Sequence, residues 1–271
     1  MRNDTSFQQY RDRQKSLEAW YGHTLLGSLI RDELKNWIAA QLETQFGYHL
    51  LTLGADIGIP VHRLSRVRNT LVVDRDTSTA APERQCCLSE LEALPVASGS
   101  VDACLLIHAT DLASDSHQLL REINRVLTPN GRLLLVGFNP WSLNGLSQVA
   151  RRWLSPSEQC HVVATRVARM RDWLSLLDFS CDTVSHFGHL PVVTWPLYSS
   201  VQRWNRQLAD HSILGGAVVA YSARKWVRGH LQQSSSRHVG GSLVAVPSRS
   251  GVMGANIQSK HHNALSHGNN E

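Results

Sequence analysis

No run of consecutive apolar residues approaches the roughly 18 that a membrane-spanning helix requires. The longest candidate, Ile213 to Tyr221, falls well short of that. The opening stretch MRNDTSFQQYRDRQKSLEAW has no apolar segment of the kind an export signal carries. Cysteine is scarce, and the five present (Cys86, Cys87, Cys104, Cys160 and Cys181) form an odd set without CxxC spacing. They read as reduced thiols, and together with the missing leader they imply a soluble, cytoplasmic chain. There is no repeat of 20–50 residues, which excludes solenoids and propellers. There is also no G-x-S-x-G elbow and no P-loop lysine, so hydrolase and nucleoside-triphosphatase readings lack support. Charged residues are only 18% of the chain against 42% apolar, which excludes disorder of the whole.

What is present suits one elaborated domain of the 271 residues. Leu25, Leu26, Leu29, Ile30, Leu34, Trp37, Ile38 and Leu42 recur at three- and four-residue steps, one face of an amphipathic helix that stops near Phe46-Gly47. Residues 1–15 are polar and are expected to be loose. Short branched apolar runs follow at Tyr48–Leu53, Thr70–Val73, Gln85–Leu88, Val101–Ile107 and Arg132–Gly137. Continuous runs of this kind suit parallel strands buried on both faces. Helices are expected over Ile57–Arg68, Ser116–Leu127 and Ala164–Leu177, and further strands near Phe179–Phe187 and Gly216–Ala223. The alternation predicts an α/β, doubly wound, Rossmann-like sheet of seven mostly parallel strands with helices on both faces and the last strand antiparallel. Three regions result: a helical extension over 1–47, the main domain over 48–228 with a basic lid at about 141–171, and a disordered tail over 229–271. The net charge of +5 comes from the second half, since residues 1–150 hold 14 Lys and Arg against 16 Asp and Glu.

Ligands of an open parallel sheet sit beyond the carboxyl ends of its strands. There the first strand runs into Leu53-Gly54-Ala55-Asp56-Ile57-Gly58, whose glycines let the backbone turn sharply and approach a ligand, with the following helix offering free N–H groups. Asp74 ends the second strand, 20 residues beyond Gly54. A carboxylate placed so can accept both hydroxyls of a ribose, and Asp76 is a neighbouring alternative. On these residues alone a nucleotide-linked dehydrogenase is also open.

Residues 90–140 narrow the choice. Glu90, Leu94-Pro95-Val96, Ser100-Val101-Asp102 and Glu122-Ile123-Asn124-Arg125-Val126-Leu127-Thr128-Pro129-Asn130-Gly131 form an ordered series. That series resembles class I S-adenosylmethionine-dependent methyltransferases of the quinone- and biotin-pathway type, including bacterial members of unassigned substrate. A dehydrogenase fits it less well. The resemblance implies S-adenosylmethionine as cofactor and in-line methyl transfer to an acceptor, a small molecule by preference. It also implies that the turn Gly54, Ala55, Asp56 and Gly58 cradles the methionine end, that Asp74 holds the ribose, and that Glu90 and Leu91 border the adenine. Asp102, Glu122 and Arg125 match family positions with a structural role.

The sequence departs from the family at two points. Thr52 replaces the acid that reaches the cofactor's amino group, and Asp56 replaces the middle glycine. A second charge near the cofactor's carboxylate would cost about 1–4 kcal/mol at ~4 Å. Alternatively, Asp56 swings to the amino group in place of the missing acid. A degenerate scaffold that kept the fold and lost turnover is therefore a competing reading. The sulfonium already activates the methyl group, so alignment supplies most of the rate. His108, with Asp111, follows the fourth strand and is the candidate base, also bordering the cofactor. Asn139, Pro140 and Trp141 are candidates for the acceptor wall. Arg151, Arg152, Arg166, Arg169 and Arg171, interleaved with Trp153 and Trp173, admit a nucleic-acid reading. It is disfavoured because His108-Ala109-Thr110-Asp111 stands where amino-methylating nucleic-acid enzymes carry Asn/Asp-Pro-Pro-aromatic. His186 and His189 lack a third ligand at zinc spacing, so no metal is expected.

Overall fold

The computed structural model describes residues 2–75, 85–142, 164–188 and 215–226. Asp76, Cys160, His189, most of the expected lid and the expected tail lie outside the described residues. Two helices come first, α1 (Arg2–His23) and α2 (Leu25–Glu43). They are followed by β1 (His49–Gly54), α3 (Val61–Leu64), β2 (Asn69–Asp74), β3 (Gln85–Leu88), β4 (Val101–Ile107), α4 (Ala109–Leu112), α5 (Ser116–Val126) and β5 (Leu127–Phe138). After them come α6 (Val167–Leu176), β6 (Phe179–Phe187) and β7 (Val218–Lys225). The seven strands form one sheet in the order β3-β2-β1-β4-β5-β7-β6. Pairings among β1 to β5 are parallel, while β7 runs antiparallel to both β5 and β6. This is the doubly wound sheet expected of the sequence.

The core follows from strand composition. Leu50, Leu51, Leu53, Ala103, Cys104, Leu105, Leu106, Leu133, Leu134 and Leu135 are at most 1% exposed, so the central strands are sealed on both faces. On α5, Leu119, Leu120, Ile123 and Val126 lie on one buried face, and Asp115 caps the helix by accepting from the His117 and Gln118 N–H groups, both at 3.0 Å. The face of α2 expected from its periodicity buries Ile30, Leu34, Ile38 and Leu42.

Three local expectations are corrected. Residues 1–15 are not loose, because α1 is helical from Arg2 onward. The helix expected over Ile57–Arg68 shrinks to the four residues of α3. Gly58 sits at φ +78°, and Pro60 disfavours helical backbone at Ile59. The apolar positions Ile57, Ile59, Val61 and Val67 are buried without helical repetition. Finally, β5 begins at Leu127, earlier than Arg132. Leu127 pairs with Val101 and Arg132 with Ala103, so Thr128–Gly131 bulge out of the ladder, with Asn130 at φ +63°.

Candidate functional site

Strand register sets the site. Leu53 pairs with Val73 of β2 and Gly54 with Ile107 of β4. Gly54, Asp74 and His108 therefore stand side by side where three adjacent parallel strands end. Gly54 has φ +102°, and a Cβ there would run into the Ile107 carbonyl oxygen, while the Ala55 N–H donates to that same oxygen at 2.9 Å. Any side chain at residue 54 would push β1 off β4. Gly58 is different. A Cβ there meets nothing within 4 Å, so the turn is open on that side and the left-handed backbone alone selects glycine. The turn leads into irregular backbone before α3, so no long helix presents its N-terminus to the glycine turn as the sequence had suggested.

Asp56 takes a local role. Its Oδ1 accepts the Gly58 N–H at 2.9 Å, which folds the carboxylate back on its own turn. Two residues before Gly54, the Thr52 hydroxyl is buried and has no hydrogen-bond partner among the described residues. A buried hydroxyl left this way costs about 1–3 kcal/mol. A hydroxyl can accept from an amino group. Together the orphaned Thr52 Oγ1, the open Gly58 and the carboxylate of Asp74 fit the methionine and ribose ends of S-adenosylmethionine.

The carboxylate of Asp74 is already engaged, by α1. Tyr10 Oη donates to Oδ1 at 3.0 Å and Gln14 Nε2 to Oδ2 at 2.9 Å, while the Arg75 N–H also donates to Oδ1, at 2.7 Å. Arg75 lies with its guanidinium 5.2 Å from the Tyr10 ring centre and pairs with Glu90 at 2.9 Å. Burial, followed by the charge of Asp74, holds the Tyr10 phenol well above its usual range. Glu90 is largely exposed, whereas Leu91 is fully buried beneath it.

The second half of α1 covers the end of β4. His108 has φ 55° and ψ 15°, left-handed backbone that costs a non-glycine residue about 1–2 kcal/mol. Its Nδ1 lies 2.7 Å from Asp111 Oδ2, which also accepts the Phe138 N–H at 3.0 Å. With the carboxylate accepting, Nδ1 carries the proton and Nε2 accepts from the Tyr21 hydroxyl at 2.7 Å. Tyr21 and His108 are 0% exposed and Asp111 is 2% exposed. Burial and then Asp111 push the Tyr21 phenol up, so it remains a donor. Trp20 and Phe138 pack edge-on at 5.6 Å, and His108 and Phe138 lie 4.3 Å apart, closing the relay from that side.

The structure thus brings Gly54, Ala55, Asp56, Gly58, Asp74, His108 and Asp111 to one rim, with Leu91 buried and Glu90 reached through Arg75. Asn139 is turned inward, donating to the Gly216 carbonyl at 3.1 Å and accepting the Trp141 N–H at 3.1 Å. Trp141 is exposed, with Arg166 stacked 5.2 Å from its ring centre. Arg151, Arg152 and Trp153 fall outside the described residues. Tyr10, Gln14, Glu18 and Tyr21 escape a reading by hydrophobic period, because their buried face carries polar tips and a single leucine, Leu17. Their spacing of four, four and three residues was the available signal.

Residues 51–135 match the family model described as "Methyltransferase domain". The Escherichia coli (strain K12) protein "Uncharacterized protein YafS" is 33% identical over 174 residues, 63% of this chain and 69% of that one. The chain belongs to the class I S-adenosylmethionine-dependent methyltransferase family. S-adenosylmethionine is the cofactor of this methyltransferase family. "Malonyl-[acyl-carrier protein] O-methyltransferase 1" of Coxiella burnetii is 29% identical over 149 residues, and the match spans about half of each chain, 52%. Among solved structures, an S-adenosylmethionine-dependent methyltransferase of Thermotoga maritima superposes with TM-score 0.59 at 15% identity, covering 81% of this chain and 99% of that one. A second methyltransferase, from Mesorhizobium loti, gives 0.50 at 18% identity over 71% and 99%. These likenesses carry the fold. No helix among the described residues is long and apolar enough to cross a membrane.

Proposed function

We propose that the chain binds S-adenosylmethionine at the rim formed by β1, β2 and β4 and transfers its methyl group to a small-molecule acceptor. The observation that carries this reading is the register that sets Gly54, Asp74 and His108 abreast, above the buried and unpartnered Thr52 hydroxyl. When bound, the cofactor supplies a methyl group already activated by its sulfonium. The chain's own residues then do the positioning. Gly54, Ala55 and Gly58 keep the backbone close to the methionine moiety, and Thr52 Oγ1 accepts from its amino group. Asp74 holds the ribose, and Glu90 and Leu91 border the adenine. Asp56, held back by the Gly58 N–H, keeps its charge on the turn and off the cofactor's carboxylate.

His108 is the base of this reading. Asp111 fixes the proton on Nδ1, leaving Nε2 as the basic atom, in the arrangement by which a carboxylate orients an imidazole in hydrolytic triads. Once Tyr21 yields Nε2, His108 can take the proton of an acceptor hydroxyl or acidic carbon. A small acceptor is favoured because Arg166 is stacked on Trp141 and the residues after β4 build a buried relay. The test is calorimetric titration of the full chain with S-adenosylhomocysteine, followed by amide hydrogen exchange. One-to-one binding with slowed exchange over residues 53–58 is expected. Absence of heat at millimolar ligand overturns the reading.

A further inference from the structure

One face of α1 touches three polar residues of the rim, Asp74, Asp56 and His108. Tyr10 and Gln14 meet Asp74, and Tyr21 meets His108. Glu18 lies between them beside Asp56, whose charge and backbone both act on it. Within residues 7–23 of this helix the buried positions are 10, 14, 17 and 21, at most 3% exposed. They recur at one-turn and two-turn spacing, so the whole face is a single surface laid on the rim.

The contacts at Asp74 resemble those of a nucleoside. A ribose presents two hydroxyls, one to each carboxylate oxygen; α1 presents the Tyr10 hydroxyl to Oδ1 and the Gln14 amide to Oδ2. Oδ1 also accepts the Arg75 N–H, which fills both of its lone-pair sites. A ribose cannot add its own bond to Oδ1 while Tyr10 remains. Tyr10 further gives Arg75 an aromatic face at 5.2 Å, the feature an adenine would offer to the Arg75–Glu90 pair.

We infer that α1 is an internal competitor of the adenosine moiety: Tyr10 and Gln14 occupy the ribose carboxylate in the closed chain, and the cofactor binds by displacing them. The inference rests on the cofactor reading above. It makes apparent affinity the product of intrinsic affinity and the fraction of chains with Asp74 released. Anything that draws α1 off the rim, including an acceptor that engages Tyr21, raises that fraction and couples acceptor entry to cofactor binding.

The experiment titrates the full chain and its Tyr10→Phe/Gln14→Leu variant with S-adenosylhomocysteine. The variant is expected to bind at least about tenfold more tightly, a difference of 1.4 kcal/mol. In the unmodified chain, saturating S-adenosylhomocysteine should speed amide exchange over residues 8–15 while slowing it over 53–58 and 72–75. Equal or weaker binding by the variant overturns the inference. So does slowed exchange over residues 8–15, which would make α1 a wall of the occupied pocket. If the variant fails to fold, the exchange result on the unmodified chain decides alone. Absence of binding by both proteins removes the cofactor reading itself, whereas binding without displacement removes only the competition.

Discussion

The two ends of the parallel sheet treat their polar residues in opposite ways. At the amino ends, charged side chains are tied into closed sets. Asp102 Oδ2 accepts the Tyr48 and His49 N–H groups at 2.6 and 3.1 Å, tying the start of β1 to β4. Arg125 donates to Glu122 and to the Leu94 and Val96 carbonyls at 3.0 and 2.9 Å, while Glu122 accepts the Leu94 N–H at 3.1 Å. That clasp pulls the Glu122 carboxyl below its usual range, with the Arg125 hydrogen bond as the main cause. At the carboxyl ends the accounts do not close in the same way. The hydroxyls of Thr52 and Thr110 are buried without partners among the described residues, and His108 holds left-handed backbone. Both side-chain donors seen on the Asp74 carboxylate, Tyr10 and Gln14, come from a helix outside the sheet, beside the Arg75 N–H. The clasps of Asp102 and of Glu122 with Arg125 hold the amino ends, while the left-handed strain of His108 and the orphaned hydroxyls gather on the side of the proposed cofactor site.

The sharpest way to break this contrast is Asp111→Ala. It strips the acceptor from the buried Phe138 N–H and from His108 Nδ1, each costing about 1–3 kcal/mol when unsatisfied. The variant should lose about 2–6 kcal/mol by urea denaturation, and exchange of the α1 amides should quicken as Tyr21 loses an oriented partner. A loss below 1 kcal/mol would mean the relay is not held as described. Arg125→Ala tests the other rim. It should cost about 1–3 kcal/mol of stability by releasing the loop before β4, while S-adenosylhomocysteine affinity changes by less than about twofold. A large affinity loss there would erase the distinction between the two ends.

The strands of the sheet were legible because their signal is local and strong. Buried parallel strands appear as runs such as Val101–Ile107, and β4 begins and ends where that run does. The placement of Asp74 and His108 at adjacent strand ends was legible for a different reason, since it follows from the strand assignment itself. What escaped was tertiary. The buried side of α1 reads Tyr, Gln, Leu, Tyr, polar by composition, and becomes a docking surface only because Asp74 and His108 wait beneath it. The helix expected over Ile57–Arg68 failed for a reason that was present in the sequence: Gly58 and Pro60 outweigh the apolar count between them. The structural part expected of Glu122 and Arg125 fits what is seen, although their grip on Leu94 and Val96 needed coordinates.

Tyr21→Phe removes one hydroxyl and leaves His108 Nε2 buried without a donor. About 1 kcal/mol of stability should go, read from the denaturation midpoint at unchanged slope. A fall comparable to that of Asp111→Ala would instead show that Tyr21 anchors α1 by itself.

Glu18→Gln has the smallest expected effect and the opposite sign. Burial, followed by the charge of Asp56, raises the Glu18 carboxyl in the folded chain, Asp74 adds to that rise, and hydrogen bonds from Gln14 and the Asp56 backbone oppose it. A carboxyl whose folded value lies above its unfolded value contributes fully in its protonated form below the unfolded value, near 4.5. That contribution is lost as pH rises through the folded value. Above the folded value Glu18 is a charge pressed against two like charges, and it loosens the helix it belongs to. Glutamine keeps the shape and drops the charge. Because the side chain is half-exposed, solvent screening holds the gain to about 0.5 kcal/mol, or about 1–2 °C in Tm at pH 7. The gain should vanish toward pH 4, where both chains are neutral at this position. A variant no more stable than the parent at pH 7 would mean that Glu18 does not face Asp56, and would detach the middle of α1 from the rim that its two ends hold.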